Sequence, residues 1–495
     1  MAIPIPEVPA TQLVGLSMVM LDRQGTSPAV ANAKTCIVGQ KTSAGSATAN
    51  TLVQVTSAER ATALFGVGSQ LAIMCKTYLQ NDPLGNLWAG VLADNGTTKA
   101  TGTIEVTAAA TGDGTIALRL YGYRVQIGVT SGDSAAHIGA SIRDAANAIV
   151  DLPVLATLST ATVTFTAKNA GVAGNTGRLE LNPDEGNLTP PGVAMTITQM
   201  SGGATDPVLT TLITAMTSSD VRWWVLGLTD VPSMEAIDAE ALSRWDAARA
   251  LRNHAFSCRV DSVSNLTTDW AARNSPHQCT FGILAPPNPS WEIAAAAAGQ
   301  IIKRNRAHPA VPHTGTKLVN RLGQAMPGPV IASRFSSVEN NTLGLAGVAT
   351  LSTDTYGQLQ LGPVVTHYKR DGSGVADTTL RWFNTLSQLM YVIDDIEGAT
   401  RQYSAGKILV NDASVVEPGT PVLDRALMRA HLAGRYELLV RQAIADDLAS
   451  FVTDLVVERN VSDPNRLDIS YPLDVTNQVN VVAVLLRTYL QRAAV

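Results

Sequence analysis

Apolar positions in the first part of the chain predict short strands separated by helices. The run TCIVG, which starts at Thr35, is almost continuously apolar and predicts a buried strand. The following LVQVTSAERATALFG predicts a strand and then a helix, with Thr56 or Ser57 as its N-cap and Gly66 as its C-cap. A second helix over about 70–79 and the apolar strand LWAGVLA complete the opening of an α/β core.

Between about residues 95 and 206, apolar and polar positions alternate with a period of two. Alternating positions in TIEVTA, TIALRLY, YRVQIGV and TVTFTA predict strands, and apolar residues at helical spacing between Asp133 and Val150 predict one helix among them. The same segment is rich in Thr, Ala and Gly and poor in charge. We therefore expect an inserted, β-rich α+β domain here.

Strands and helices alternate again after the insertion. The apolar runs RWWVLGL, AFSCRV and CTFGIL predict strands of a mainly parallel sheet with helices on both faces. A hairpin is predicted around Tyr356, and a long helix over about 379–403. The shorter predicted helices cover about 234–253, 264–273 and 290–304.

The two ends of the chain follow neither pattern. The first residues are Pro-rich without a period, which predicts an extended arm. Near the other end, Pro421 is expected in the first turn of a helix, and the β-branched run over about 475–490 predicts a strand with no sequential partner.

The fold class predicted from these patterns is multidomain α/β, with a parallel-sheet core, an inserted β-rich α+β domain and extended N- and C-terminal arms. The expected segments are the N-terminal arm (1–30), the first part of the α/β core (31–94), the inserted domain (95–206), the central α/β domain (207–417), a C-terminal domain (418–474) and a C-terminal strand arm (475–495).

Composition narrows the class of protein. Hydrophobic residues make up 45% of the chain and charged residues only 16%, which leaves an unusually uncharged surface that suits contact with other protein. The 36 Lys and Arg against 41 Asp and Glu include no basic block, which argues against nucleic acid as a partner. No run has the length of a membrane span, and prolines interrupt what would be a signal core, so neither membrane insertion nor secretion is predicted.

The residues that could carry chemistry give no catalytic, metal or cofactor site. The motif GVAGNTG at Gly171–Gly177 lacks the Lys-Ser/Thr of a phosphate-binding loop and is interpreted as a bulged turn. Asp394 and Asp395 are adjacent on a helix and are expected to form a solvated edge. The histidines, such as His308 and His313, are expected in surface or loop positions. The widely spaced cysteines predict reduced, buried thiols in cytoplasm, and they are Cys36, Cys75, Cys258 and Cys279.

The opening and closing segments resemble the contractile tail sheath proteins of bacteriophages, in particular the Mu type. The resemblance rests on the arm, on IVGQ…TLVQVTSAERATALFGVGSQLAIMCKTYLQNDPLGNLWAGVLAD, on GVAGNTGRLELN and on PVLDRALMRAHLAGRYELLVRQAIADDLASFVTDLVVERN. Leu52, Phe65, Gly66 and Trp88 match the family's strand, helix end and following strand. The similarity covers nearly the whole chain, and none of its motifs is a catalytic signature.

The resemblance implies a structural subunit and not an enzyme. Such subunits stack as six-membered rings around a tail tube, and their contraction drives the tube through the host envelope during DNA ejection. The implied partners are further copies of the chain, the tail tube protein, and baseplate and tail terminator proteins. The implied location is the tail sheath of the virion, after assembly in the host cytoplasm. Two alternatives are left open: another tail structural protein (tube or baseplate), and an α/β hydrolase or nucleotide-binding enzyme.

The two arms are the predicted interfaces between subunits, because a strand that cannot close a sheet within its own chain can add to the sheet of a neighbour. The family places its C-terminal domain against the tube. Arg425 and Arg429, four residues apart on one predicted helix face, are therefore the predicted tube-facing residues. The predicted subunit-interface residues are Ile3, Ile5, Val8, Val475, Val479, Val481, Val484 and Leu486.

Overall fold

The structure is a computed structural model, and it describes most of the chain from residue 33 onward. Ile3, Ile5, Val8 and Val481 lie outside the described residues. The described residues are 33–94, 96, 98–246, 249–412, 417–461, 463–479 and 484–486.

Both predicted caps of the first helix are confirmed. The Ser57 hydroxyl accepts a hydrogen bond from the Arg60 N–H, and Gly66 ends the helix with a φ of 88°, a conformation that favours glycine. The elements of this segment are β1 (Lys34–Gln40), β2 (Leu52–Gln54), α1 (Ala58–Phe65), α2 (Gln70–Asn81) and β3 (Asn86–Leu92).

The middle segment forms two antiparallel sheets, in the orders β10-β4-β8-β7 and β6-β5-β9. Apolar residues of α3 and of both sheets, such as Ile142 and Phe165, share one hydrophobic core. The motif expected to be a bulged turn is instead a 3-10 helix, Val172–Thr176. The other elements are β4 (Thr101–Ala108), β5 (Gly114–Leu120), β6 (Tyr123–Val129), α3 (Ala135–Ala148), β7 (Val154–Ser159), β8 (Thr162–Ala167), β9 (Leu179–Leu181) and β10 (Ala194–Ser201).

The third segment contains the alternating strands and helices that its sequence predicts. The helix expected over 234–253 was wrong in its bounds, because Asp230 caps it earlier and it ends at Arg244. The Arg244 guanidinium donates to the carbonyls of Met216 and Ser219, which precede the strand Val221–Leu226. The elements are α4 (Thr210–Met216), β11 (Val221–Leu226), α5 (Val231–Arg244), β12 (His254–Val260), α6 (Val263–Ala271), β13 (Gln278–Ile283), α7 (Ser290–Ala307), a 3-10 helix (Ile331–Ser333), α8 (Ser337–Leu345), β14 (Ala349–Thr353), β15 (Leu359–Leu361) and α9 (Phe383–Ser404).

The first and third segments share one eight-stranded sheet, in the order β15-β14-β13-β12-β11-β1-β3-β2. Its six central strands are parallel, and β2 and β15 join antiparallel at the edges. Helix α7 is buried along most of its length. A Cβ added at Gly299 would lie 2.8 Å from the Asn81 Cβ, so glycine is required where α7 meets α2. The mixed α/β class is thereby confirmed.

Within its described residues, the last segment contains two small sheets and two helices. Pro421 was wrongly placed in a helix: its carbonyl accepts a hydrogen bond from the Ile408 N–H, and α10 begins only after Asp424, which caps it by accepting from the Leu427 N–H at 2.7 Å. The elements are β16 (Ile408–Leu409), β17 (Val422–Leu423), α10 (Arg425–Arg441), α11 (Leu448–Asp454), β18 (Val456–Arg459) and β19 (Leu467–Ser470).

Candidate assembly site

The start of the C-terminal arm is fixed by a buried glutamine on α9. Gln388 is fully buried, and its side-chain NH2 donates to the Thr476 hydroxyl at 2.8 Å and to the Ile444 carbonyl at 3.1 Å. The Thr476 hydroxyl in turn donates to the Ala443 carbonyl at 2.8 Å. The sequence did not single out Gln388, and the signal would have been a polar residue among the apolar positions of this helix.

One backbone bridge extends this attachment. Val475 pairs antiparallel with Ala445, and the Asp446 N–H donates to the Asp474 carbonyl. Val475, a predicted interface residue, is therefore partly buried against its own chain. The described residues 476–479 and 484–486 are not in a strand, so a strand over 475–490 is not formed there within one chain.

Beyond this attachment, the predicted interface residues are strongly exposed. Val479 is 76% exposed, Val484 82% and Leu486 81%, and the intervening Leu485 is 77% exposed. Large apolar side chains placed together in water mark sites where another surface binds, because their burial is favourable.

An open groove lies beside the two small sheets of the last segment. Both sheets have only two strands within the described residues, and a two-stranded sheet is marginal by itself. The Tyr471 hydroxyl in this groove is buried without a hydrogen-bond partner among the described residues, and burial raises the pKa of its phenol. Polar residues, among them Glu397, Arg401 and Lys407, line one part of the groove. Its larger apolar lining residues are Ile396, Leu409, Leu423, Met428, Leu467, Ile469 and Tyr471.

The two predicted tube-facing arginines are exposed, and each is held by its own chain. Arg425 donates two hydrogen bonds to Asp412 Oδ2, at 2.9 and 2.6 Å, and this pairing lowers the pKa of the Asp412 carboxyl. Arg429 donates to the Val452 carbonyl at 2.6 Å and thereby connects α10 to α11. The structure thus places both arginines at the start of α10 but gives them different partners.

The middle segment contacts a buried ion pair of the third segment, beside α7. Arg321, 2% exposed, donates to Glu292 Oε2 of α7 at 2.8 Å, and Glu292 is fully buried. The same guanidinium lies 3.9 Å from the ring centroid of Tyr123 on β6. Nearby, the Trp291 indole N–H donates to the Ala173 carbonyl of the 3-10 helix. The 3-10 helix around Ala173 thus contacts α7 at this junction.

Several polar residues are more buried than the sequence predicts. Asp395 is not part of a solvated edge, because it is 3% exposed and pairs with Arg435 of α10. His313 is not at the surface and is 2% exposed. Three other histidines are buried, namely His254, His277 and His367. The buried thiols are confirmed for all four cysteines.

Among the described residues, no group of His, Cys, Asp or Glu has an arrangement that could hold a metal ion. Within the same residues, the helices are too short or too polar to span a membrane.

Comparison with known proteins gives one full-length relative. The chain is 29% identical over 493 residues to the Mu-like prophage FluMu tail sheath protein of Haemophilus influenzae, which covers 98% of this chain and 99% of the relative. No protein-family model matches the chain.

Solved structures add a likeness in fold. The sheath complex of an extracellular contractile injection system (PVC) in its contracted state aligns with a TM-score of 0.50, 8% identity, and coverage of 98% of this chain and 99% of the other. The sheath tail protein Lin1278 of Listeria innocua aligns with a TM-score of 0.46 and 10% identity, over 90% and 92% of the two chains. The 29% identity over nearly the full chain confirms the resemblance to the Mu-type tail sheath proteins, and the similar proteins found are structural sheath proteins and not enzymes.

Proposed function

We propose that the chain is the subunit of a contractile phage tail sheath, polymerising as stacked hexameric rings around a tail tube and contracting to drive the tube through the host envelope during DNA ejection. Its partners would be further copies of itself, the tube protein, and baseplate and terminator proteins. It would assemble in the host cytoplasm and act in the virion tail. One observation carries the proposal: a C-terminal arm attached at Gln388 that then exposes Val479, Val484 and Leu486.

The arm and the groove complement each other as donor and acceptor of a strand. The arm offers β-branched and apolar residues, and the groove offers the edges of two-stranded sheets lined by apolar side chains. If the arm extends away from its own groove, a single chain can neither bury the apolar residues of the arm nor pair the sheet edges in the groove. Such a head-to-tail contact does not close on itself and generates a helical polymer.

Charge in the arm is expected to abolish polymerisation. In Val484→Asp combined with Leu486→Asp, each added carboxylate would have to lose its hydration on entering the neighbour's groove, whereas both positions are more than 80% exposed in the single chain. Size-exclusion chromatography should therefore show a folded monomer with an unchanged melting temperature. Leu188→Asp, at a position of equal exposure (80%) in the middle segment, is the matched control and should polymerise normally. Polymers formed by the double variant would contradict the proposal.

The middle segment, residues 95–206, is proposed to be a separable, outward-facing domain. Its two ends meet at one place: Asp94 Oδ1 accepts from the Ala170 N–H and Asp206 Oδ1 accepts from the Val172 N–H, both at 2.8 Å. Its own hydrophobic core is distinct from that of the large sheet. Because the ends are adjacent, a short linker can replace the segment without stretching the chain.

Replacing residues 95–206 by a short Gly/Ser linker is expected to leave assembly intact and to lower stability, since Arg321 and Trp291 lose Tyr123 and Ala173 as partners. Electron microscopy should show thinner polymers, and urea unfolding should show an earlier midpoint. Collapse of the remaining fold would contradict a separable domain.

Arg425 and Arg429 are proposed to contact an acidic tube surface. Arg425→Glu with Arg429→Glu should leave empty sheath polymers normal and impair co-assembly with purified tube, most strongly at low salt, where charge interactions are least screened. Arg441→Glu, at the exposed C-terminal end of the same helix, is the control and should load normally. Wild-type loading of the double variant would refute the assignment.

A further inference from the structure

Two buried histidines enclose the first residue of α9. Phe383 is fully buried, with its ring centroid 4.9 Å from that of His254 on β12 and 5.7 Å from that of His313. His254 is fully buried and His313 is 2% exposed. The helix that continues from this contact therefore starts on a surface made partly of imidazole rings. We call His254, His313 and Phe383 the joint.

The joint connects the large sheet to the C-terminal region. Asn384, next to Phe383, donates to the Val311 carbonyl at 2.9 Å and so holds the loop 308–313. In that loop, His308 Nε2 donates to the Gln442 carbonyl at the end of α10, at 2.6 Å. One turn further along α9, Gln388 holds the start of the C-terminal arm. Displacing the first turn of α9 would therefore loosen the loop, α10 and the arm together.

Among the described residues, the Pro276 carbonyl is the one group that favours a protonated His254, and its effect is smaller than that of burial. Burial lowers the pKa of His313 to about 3, with a smaller contribution from Arg304, and lowers the pKa of His254 well below its ordinary value, with smaller contributions from His277 and His367. All of these neighbours are cationic or become so in acid, and none is a carboxylate. Neither ring nitrogen of His313 has a hydrogen-bond partner among the described residues.

We propose that the joint is an acid-sensitive release, in which opening of the first turn of α9 exposes His254 and His313 to protonation and frees the C-terminal region from the sheet. When open, each imidazole has a pKa near its ordinary value of about 6.5. Below that pH the open form takes up protons that the closed form excludes, so acid favours opening. Above that pH, neither form takes up these protons, so the equilibrium between the closed and open joint does not depend on pH. If the proposed function holds, acid would disconnect the arms of the sheath lattice.

Hydrogen exchange of the full-length chain tests this proposal. Between pH 5.5 and 4.5, after correction for the intrinsic exchange rate, the opening constant of α9 amides should rise about tenfold per pH unit for each histidine exposed, hence roughly 100-fold per unit for two. Helix α3, whose His137 is already exposed, should show no such rise. A global opening would also expose His277 and His367 and would give a steeper dependence, shared by all elements.

Replacing one histidine at a time measures how many protons the opening of α9 takes up. His313→Gln or His254→Gln should each reduce the α9 dependence to roughly tenfold per pH unit, whereas His137→Gln should leave it unchanged. If a variant does not fold, the wild-type comparison of α9 with α3 decides by itself. Equal pH dependence of the two helices, or an unchanged dependence in both single variants, would overturn the release. Either result would leave polymerisation, and hence the proposed function, untouched.

Discussion

Deletion of residues 479–495 should give a folded, monomeric chain that no longer polymerises. The truncation removes the exposed apolar residues of the arm and keeps Val475 and Thr476, which are bound to the chain itself. The folded state loses little because Val479, Val484 and Leu486 are almost fully exposed in it. The polymer would lose the apolar contact that is proposed to connect its subunits. Sedimentation velocity at polymerising concentrations should show one slow species with an unchanged circular dichroism spectrum.

A longer deletion, of residues 475–495, provides the matched comparison. It also removes Thr476 and so leaves the buried Gln388 amide with fewer acceptors, which costs about 1–3 kcal/mol. Both truncations should therefore fail to polymerise, and only the longer one should unfold at lower urea. Normal polymers from either truncation would show that the C-terminal arm is not the connecting element.

Arg321→Met is expected to lower the free energy of unfolding by about 3–5 kcal/mol, because it leaves Glu292 buried without its cation. The remaining donors to the carboxylate are neutral: the Thr77 hydroxyl, the Asn288 amide and the backbone N–H of residue 321. The substitution also removes the contact with the Tyr123 ring across the junction. Equilibrium unfolding in urea measures the loss.

Two further variants define the cause of this loss. Glu292→Gln combined with Arg321→Met should recover part of the stability, because no buried charge is left unpaired. Arg441→Met breaks a pair that is 71% and 45% exposed, and its unfolding free energy should change by less than about 0.5 kcal/mol. A small effect of Arg321→Met, similar to that of Arg441→Met, would contradict a buried ion pair that holds the junction.

Local sequence patterns predicted the elements whose determinants lie close together in the chain. Ser57 and Gly66 bound α1 because a cap depends on residues within one turn. The apolar runs before and after the insertion predicted parallel strands, although the run from Thr35 does not reveal that β1 lies between β3 and β11. The prediction that Pro421 lies in a helix was wrong because Asp424, three residues later, is the N-cap of α10.

Features that depend on distant contacts could not be predicted in this way. Asp395 has the sequence context of a solvated helix edge, and its burial results from Arg435, forty residues away. Gln388 and Thr476 meet only in the folded chain, so the arm was predicted but its attachment was not. His313 is buried because α9 covers its loop.

Electron microscopy of the purified full-length chain tests the central claim most directly. The proposed function predicts hollow cylinders with six subunits per ring, in which density for each C-terminal arm extends into the groove around Ile469 of a neighbouring subunit. Particles that remain monomeric at all concentrations, or polymers in which the arm contacts only its own subunit, would contradict it.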